Sequence, residues 1–262
     1  MLSDYLKIDN QELKEITFFS MVLSLMFSFT YIRFNIKSDF FSIFFLFFLF
    51  LLVLFMLKLY FMKFIAYKNH YSINLRMSYF DRYWFREYDR VSYDFKGLKG
   101  IPMPFVSLIL YILTLGILIV PIFWRYKYKI IPHRHIGTKL KYESDLFEGV
   151  SNYRISKVFF SGYLFYVFFL FMLKFFSSSL GEFFYWFSFM ILWIAFFNLI
   201  PIIGTNGWDF FSRGRFGWVC AINVLVLTMI SIFVFESILY VIGMSLITFF
   251  IVLVLILWRQ LV

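Results

Sequence analysis

Phe40-Phe41-Ser42-Ile43-Phe44-Phe45-Leu46-Phe47-Phe48-Leu49-Phe50-Leu51-Leu52-Val53-Leu54-Phe55-Met56-Leu57 runs without a charge. The apolar stretch that it opens continues to about Ala66, broken only by Lys58 and Lys63. As a helix rising ~1.5 Å per residue, such a run matches or exceeds the ~30 Å hydrocarbon layer of a bilayer. It predicts a membrane span.

The remainder of the chain agrees. It has 262 residues, of which 62% are hydrophobic and 26% aromatic, 42 of them Phe, and its mean hydropathy is +0.82. A water-soluble core of this size cannot enclose so much apolar surface, so lipid must solvate most of it. Further apolar runs extend from about Ile16 to Ile32, Pro102 to Phe123, Val158 to Phe176, Phe183 to Ile203, Trp218 to Phe235 and Ile238 to Trp258. The first follows a polar start in which Glu12, Lys14 and Glu15 suit an amphipathic helix.

The formal charge is +10, but the cations lie mostly in loops between apolar runs. There they act as topology signals and contacts for anionic headgroups, and they do not point to nucleic acid. Segments 67–101 and 124–157 are both dense in Lys and Arg and should share the cytoplasmic side. A single crossing by Pro102–Phe123 would separate them. That run contains Pro102, Pro104, Gly116 and Pro121, so a re-entrant or interfacial segment is expected in its place. The fold class is thus an all-α polytopic membrane protein with about six transmembrane helices plus the re-entrant segment, and both termini cytoplasmic. Seven full spans is the alternative. Alternation in Tyr71–Phe85 allows a short strand or hairpin within the 67–101 loop. No second soluble domain is visible, so 1–262 reads as a single integral membrane domain.

Within the second span, Lys63 can snorkel to the interface while Lys58 lies a turn or more deeper. The lone Cys220 excludes an intrachain disulfide. His133 and His135 form an H-x-H with Glu143 and Asp145 downstream, but Arg134, Lys139 and Lys141 oppose a divalent cation there. His70 reads as interfacial. Trp84, Trp124, Trp208 and Trp258 fall near the ends of apolar runs, as an interfacial belt requires.

A second stretch bears on function: Phe197-Asn198-Leu199-Ile200-Pro201-Ile202-Ile203-Gly204-Thr205-Asn206-Gly207-Trp208-Asp209. It resembles the N-x-x-P…D-G segment of the site-2 proteases, the intramembrane zinc metalloproteases, most nearly their compact archaeal form. Asn198 and Pro201 match its first half, and Asn206-Gly207 occupies the D-G position, whose Asp is a zinc ligand in that family. Asp209, Phe210, Arg213, Phe216 and Trp218 follow as in the family, and Ser161-Gly162 resembles its A-G-P, with Tyr163 at the Pro. The likeness runs from about Glu12 to Leu225. It sets a core at about 40–217, with extra C-terminal helices at 218–258.

The family's H-E-x-x-H is absent. Aligning back from Ala66, Tyr67 and Tyr71 places Lys58 at the first His, Leu59 at the Glu and Met62 at the second His. A catalytic zinc needs three protein ligands and an open position for water. The resemblance therefore implies a pseudoprotease without zinc or other cofactor, which binds lipid and holds a transmembrane or membrane-associated protein partner, with no catalytic residue and a prokaryotic cell membrane as its setting. The charge-based topology puts the Lys58–Lys63 end of the second span and the Asn206 turn both near the cytoplasmic side, so they can meet; the Lys58 ammonium then either pairs with Asn206 or Asp209 or faces the cytoplasmic vestibule. The strand-like part of 71–85 would then be free to add to a partner strand. Two alternatives stand beside it: an active metalloprotease with displaced ligands, drawing on His70, His133 or His135 with Asp209, and a transporter or channel component.

Overall fold

The computed structural model describes residues 7–34, 39–69, 71–77, 79–80, 101–121, 124–130, 148–201 and 206–234. The chain is an all-α polytopic membrane protein. Five helices among these residues are long and apolar enough to cross a membrane. The run expected from Ile238 to Trp258 lies outside the described residues, as do His70, His133 and His135. The chain divides into two compact units, residues 1–135 with 200–209, and residues 136–199 with 210–262.

In the first unit, α1 (Asn10–Phe34) and α2 (Phe40–Lys68) form an antiparallel pair. Tyr31 meets Phe47 edge-on at one end, and Glu12 meets Lys63 at the other. Helix α1 starts at Asn10, so the polar start with Glu12, Lys14 and Glu15 belongs to it, and Asp9-Asn10-Gln11-Glu12 is half of a capping box. The Glu12 carboxylate at the third helical position accepts the Asp9 backbone N–H at 3.0 Å. Ser20, Ser24 and Ser28, spaced by four, are fully buried on one face of α1. Small side chains at that spacing let helices approach closely, and the Ser24 and Ser28 hydroxyls donate to Met21 and Ser24 carbonyls within α1. Phe19, Leu23, Met26, Phe47, Leu51 and Leu54 fill the space around them.

Four strands follow α2: β1 (Tyr71–Met77), β2 (Tyr79–Phe80), β3 (Ile101–Pro102) and β4 (Trp124–Ile130). Alternation made β1 legible, with Tyr71, Ile73 and Leu75 buried and Asn74 exposed. The short strand is present; residues 81–85 of that segment lie outside the described residues. β1 pairs antiparallel with β4 in the register Tyr71↔Ile130 to Met77↔Trp124, and the two-residue β2 pairs with β3. The partner strand comes from the segment that reads as a basic loop.

Between β3 and β4 the chain makes the expected re-entrant excursion. Helix α3 (Met103–Leu113) runs beside α1, with Phe105 against Phe18, the Tyr111 hydroxyl 3.1 Å from that of Thr30, and the Leu115 carbonyl accepting from Arg33 at 3.0 Å. Its tip turns through Leu115 and Gly116, both with positive φ, 52° and 81°. At Gly116 a side chain would also crowd the Tyr111 hydroxyl. The chain then returns without helix through residues 117–121. Helix α3 lies along α1 from the level of Phe18 to that of Arg33. Because β1 and β4 are paired, the strands flanking it lie at one face, hereafter the ribbon face; the tip lies at the Arg33 face.

The second unit is built from α4 (Glu148–Phe175), the one-turn α5 (Ser177–Leu180), α6 (Glu182–Leu199) and α8 (Arg215–Val234). Helix α7 (Asn206–Arg213) contributes its first four residues to the first unit and the remainder to the second. The three long helices pack mutually. Helix α4 begins some ten residues before the apolar run at Val158, and its polar first turns are held there by Asn152, whose side-chain oxygen accepts from Arg213 at 3.0 Å. Pro201 has no N–H to continue α6. The carbonyls left open at its end are taken by side chains: the Tyr163 hydroxyl donates to Asn198 at 2.7 Å and the Trp218 indole N–H to Leu199 at 2.7 Å. Phe210, fully buried, stacks on both Phe159 and Tyr163.

The α7–α8 corner packs closely against α4 at Ser156. A Cβ on Gly214 would fall 2.1 Å from the Ser156 hydroxyl and 2.6 Å from the Ser156 Cβ, so turning the hydroxyl away does not relieve it. Gly214→Ala should therefore cost about 1–3 kcal/mol, as overpacking does. Thermal unfolding in detergent should show the loss, and Ser156→Gly in the same chain should restore most of it.

Candidate functional site

The chemistry-bearing residues of the first unit gather at the ribbon face, and Glu12 is their centre. Its side chain is 1% exposed. One oxygen accepts the Asp9 N–H and the Lys63 ammonium, at 3.0 and 2.6 Å; the other accepts the Leu75 N–H at 2.8 Å. Lys63 also donates to the Lys7 carbonyl at 2.8 Å. Lys63 does not snorkel. Its side chain is 3% exposed, because a buried carboxylate and a carbonyl are within reach where lipid headgroups would otherwise be sought.

Leu75 faces Tyr126 across the ladder. Neither donates its N–H to the other strand. Leu75 donates outward to Glu12, and Tyr126 donates outward on the opposite edge to the Asn206 side-chain oxygen at 3.1 Å. One rung of the two-stranded ribbon is thereby held at both edges by side-chain acceptors, from α1 and from the start of α7. An open strand edge in apolar surroundings leaves donors unmet; here two of them are met by design of the sequence. Glu12 thus occupies part of the β1 edge expected to be free for a partner strand.

The positions singled out by the resemblance fall as follows. Lys58, Leu59 and Met62 are all buried on α2. The Lys58 ammonium lies 5.9 Å from the centre of the Tyr126 ring, within cation–π range. Asn206 opens α7 and is buried, as is Gly207. The expected meeting is therefore indirect: Lys58 and Asn206 approach the same residue, Tyr126. Asp209, offered by the sequence as a counter-charge for Lys58, forms a two-bond pair with Arg125 at 2.8 and 3.1 Å. A planar guanidinium matches both carboxylate oxygens, which the single point charge of an ammonium does not.

The other motif residues are structural in their contacts. The Asn198 amide donates to Ile194 within α6, and the Ser161 hydroxyl to Val158 within α4. Gly162 is buried and Pro201 is exposed just past the end of α6. Trp208 is half-buried.

No known protein family, curated protein or solved structure matches the chain. The donor set must speak for itself. Where the resemblance puts two imidazoles, a carboxylate base and a carboxylate ligand, the chain has an ammonium, an alkyl group, a thioether and an amide. Zinc does not fit them: a cation repels a cation, and the one neutral oxygen already accepts the Tyr126 N–H. Among the described residues no group of three or more His, Cys, Asp or Glu is placed to hold a metal.

Sequence reasoning did not find Glu12, Arg125 or Tyr126, though two signals were present. Asp9-x-x-Glu12 has the spacing of a capping box. Trp124-Arg125-Tyr126-Lys127-Tyr128-Lys129-Ile130 alternates strictly between apolar and basic, the signature of a half-buried strand.

Removing one partner of a buried pair strands the other charge, at a cost of about 3–5 kcal/mol. Glu12→Ala should lower unfolding stability by that amount, while Glu12→Leu with Lys63→Met should recover most of it. Tyr126 adds a pH dependence. Burial, and after it the Glu12 carboxylate, hold its phenol well above the ordinary value of 10.0. Below pH 10 the phenol is neutral folded or unfolded and contributes no slope. Above it the unfolded chain ionises first, so stability falls by up to about 1.4 kcal/mol per pH unit. Tyr126→Phe should flatten the alkaline limb of melting temperature against pH between 10 and 11.5 and leave the profile unchanged from pH 6 to 9. An unchanged alkaline limb would place the ring in contact with water.

Proposed function

We propose that this protein is a catalytically inactive, site-2 protease-like membrane protein that binds or holds a membrane-embedded partner. One observation carries the reading. Positions 58 and 206, separated by most of the chain and aligned by the resemblance with two metal-ligand positions, both approach Tyr126. Their approach to one residue is what the resemblance expects of those two positions, and it supports the reading.

The residues there supply neither a nucleophile nor a base in a position to activate water, so the activity is binding. The partner is a transmembrane helix or an extended segment within the bilayer, and lipid is the other contact. Large apolar side chains such as Phe41, Phe45, Leu49 and Val53 are exposed along α2 and are available to either. The density of Lys and Arg in segments 67–101 and 124–157 supports a cytoplasmic ribbon face and cytoplasmic termini, with a prokaryotic cell membrane as the proposed setting. The competing reading of an active protease with displaced ligands depends on Asp209, whose two oxygens both face Arg125.

The test is reconstruction of the site. Lys58→His, Leu59→Glu, Met62→His and Asn206→Asp, introduced together, should give a folded chain that takes up about one zinc, the content expected of two imidazoles and a carboxylate in tetrahedral geometry. The unaltered protein, expressed with zinc supplied and measured by elemental analysis, should carry almost none. A folded reconstructed chain without zinc would remove the support for the family reading. Stoichiometric zinc in the unaltered protein would overturn the inactive assignment.

A further inference from the structure

The return limb of the re-entrant excursion, residues 117–121, is non-helical and carries only apolar side chains. Such backbone is stable in a membrane only where its polar groups meet protein or water. Two are met by side chains: the Leu118 N–H donates to the Thr114 hydroxyl at 3.1 Å, and the Val120 carbonyl accepts from the Ser107 hydroxyl at 2.6 Å. Pro121 presents no N–H. Among the described residues, the carbonyls of Ile117 and Leu118 and the N–H of Val120 have no protein partner. Each would cost several kcal/mol if left against hydrocarbon.

The side chains here show which way the limb is open. Ile119 and Pro121 are buried, Leu118 and Val120 are half-buried, and Ile117 is 73% exposed. Exposure thus rises toward the tip, at the level of Arg33. The hydroxyls of Thr30, Ser107, Tyr111 and Thr114 gather where α1 and α3 meet beside this limb, with Ser107 and Tyr111 buried.

We propose that residues 117–120 line a water-filled crevice that opens at the Arg33 face and ends at Val120. At ~3.3 Å per extended residue, Val120 lies about 13 Å below the tip. Water hydrates the unpaired carbonyls and the Val120 N–H. The crevice is closed where Ser107 takes the Val120 carbonyl and the buried Pro121 follows. Its occupants are water and small polar solutes, admitted from the face opposite the buried Glu12 cluster. This assignment stands independently of the pseudoprotease reading, since it uses none of the motif positions.

The experiment is thiol labelling in sealed proteoliposomes with a membrane-impermeant maleimide, in a Cys220→Ala background. Leu118→Cys and Val120→Cys report on the crevice, Leu49→Cys and Val53→Cys on the lipid-exposed surface of α2, and Asn74→Cys marks the ribbon face. Because the thiolate is the reactive species and hydrocarbon suppresses it, the crevice positions should label on the order of 100-fold faster than the α2 positions. They should do so only with reagent on the face opposite Asn74→Cys. Labelling as slow as at Val53→Cys, or labelling from the ribbon face, would overturn the proposal. Hydrogen exchange of the unaltered protein gives a second reading without substitutions. The Val120 amide should exchange at a nearly unprotected rate, and strong protection would equally overturn it.

Discussion

The first unit depends on one carboxylate. Glu12 ends the N-terminal turn of α1, neutralises a lysine of α2 and takes a backbone donor from β1. Lys63 and Leu75 lie about fifty residues or more from Glu12 in sequence. A buried carboxylate is costly unless every oxygen is engaged. Here both are, with two N–H groups and an ammonium. The constraint works in both directions: the charge is tolerable only if α1, α2 and β1 are all in place, so it rewards that arrangement over any in which α1 slides along α2. Apolar helix surfaces alone are poor at fixing such a register, because lipid tails solvate them nearly as well as another helix does.

The ribbon extends this logic. Two strands in a membrane protein present two open edges, and the rung Leu75–Tyr126 meets that problem with one acceptor on each side. The two acceptors differ in kind. Glu12 carries a charge that Lys63 neutralises. Asn206 is neutral, and an amide oxygen accepts an N–H without bringing a second charge into an apolar setting. Beside it, Asp209 keeps its charge because Arg125, on the neighbouring position of β4, meets both oxygens. Alternation along β4 puts Arg125 and Tyr126 on opposite faces, so one strand can serve the ion pair and the buried ring at once.

Much of this architecture was legible in the sequence, for a simple reason. Span assignment integrates hydropathy over about twenty residues, and a run such as Phe40–Leu57 leaves no competing solution. The re-entrant segment was legible too, because two basic flanks cannot lie on one side of a single crossing and because Pro102, Pro104, Gly116 and Pro121 weaken a continuous helix. What escaped was pairing. β1 showed its alternation, but its partner lies some fifty residues on, within a segment, 124–157, whose eight Lys and Arg mask the same period-two pattern; hydropathy averages it away. Lys63 was misplaced for a related reason. Snorkelling is the default for a lysine near a span end when no partner is known, and only the tertiary position of Glu12 supplies one.

The candidate site divides along the same line. Asn198, Pro201, Asn206 and Gly207 were visible as a motif, whereas Tyr126, which Lys58 and Asn206 both approach, belongs to no motif. The reason is physical. A motif preserves the residues that do chemistry or turn the chain, but what organises positions 58 and 206 here is a backbone N–H and an aromatic face, and neither demands a rare residue type. Any strand residue offers the N–H, and a Tyr in a chain with 18 of them draws no notice. In a structure whose interior must satisfy every polar group internally, the informative residues are therefore the buried ones that accept or donate across elements. In this protein those are Glu12, Lys63, Asn206 and the strand rung between them, and they fix where Lys58 sits before any question of what it does.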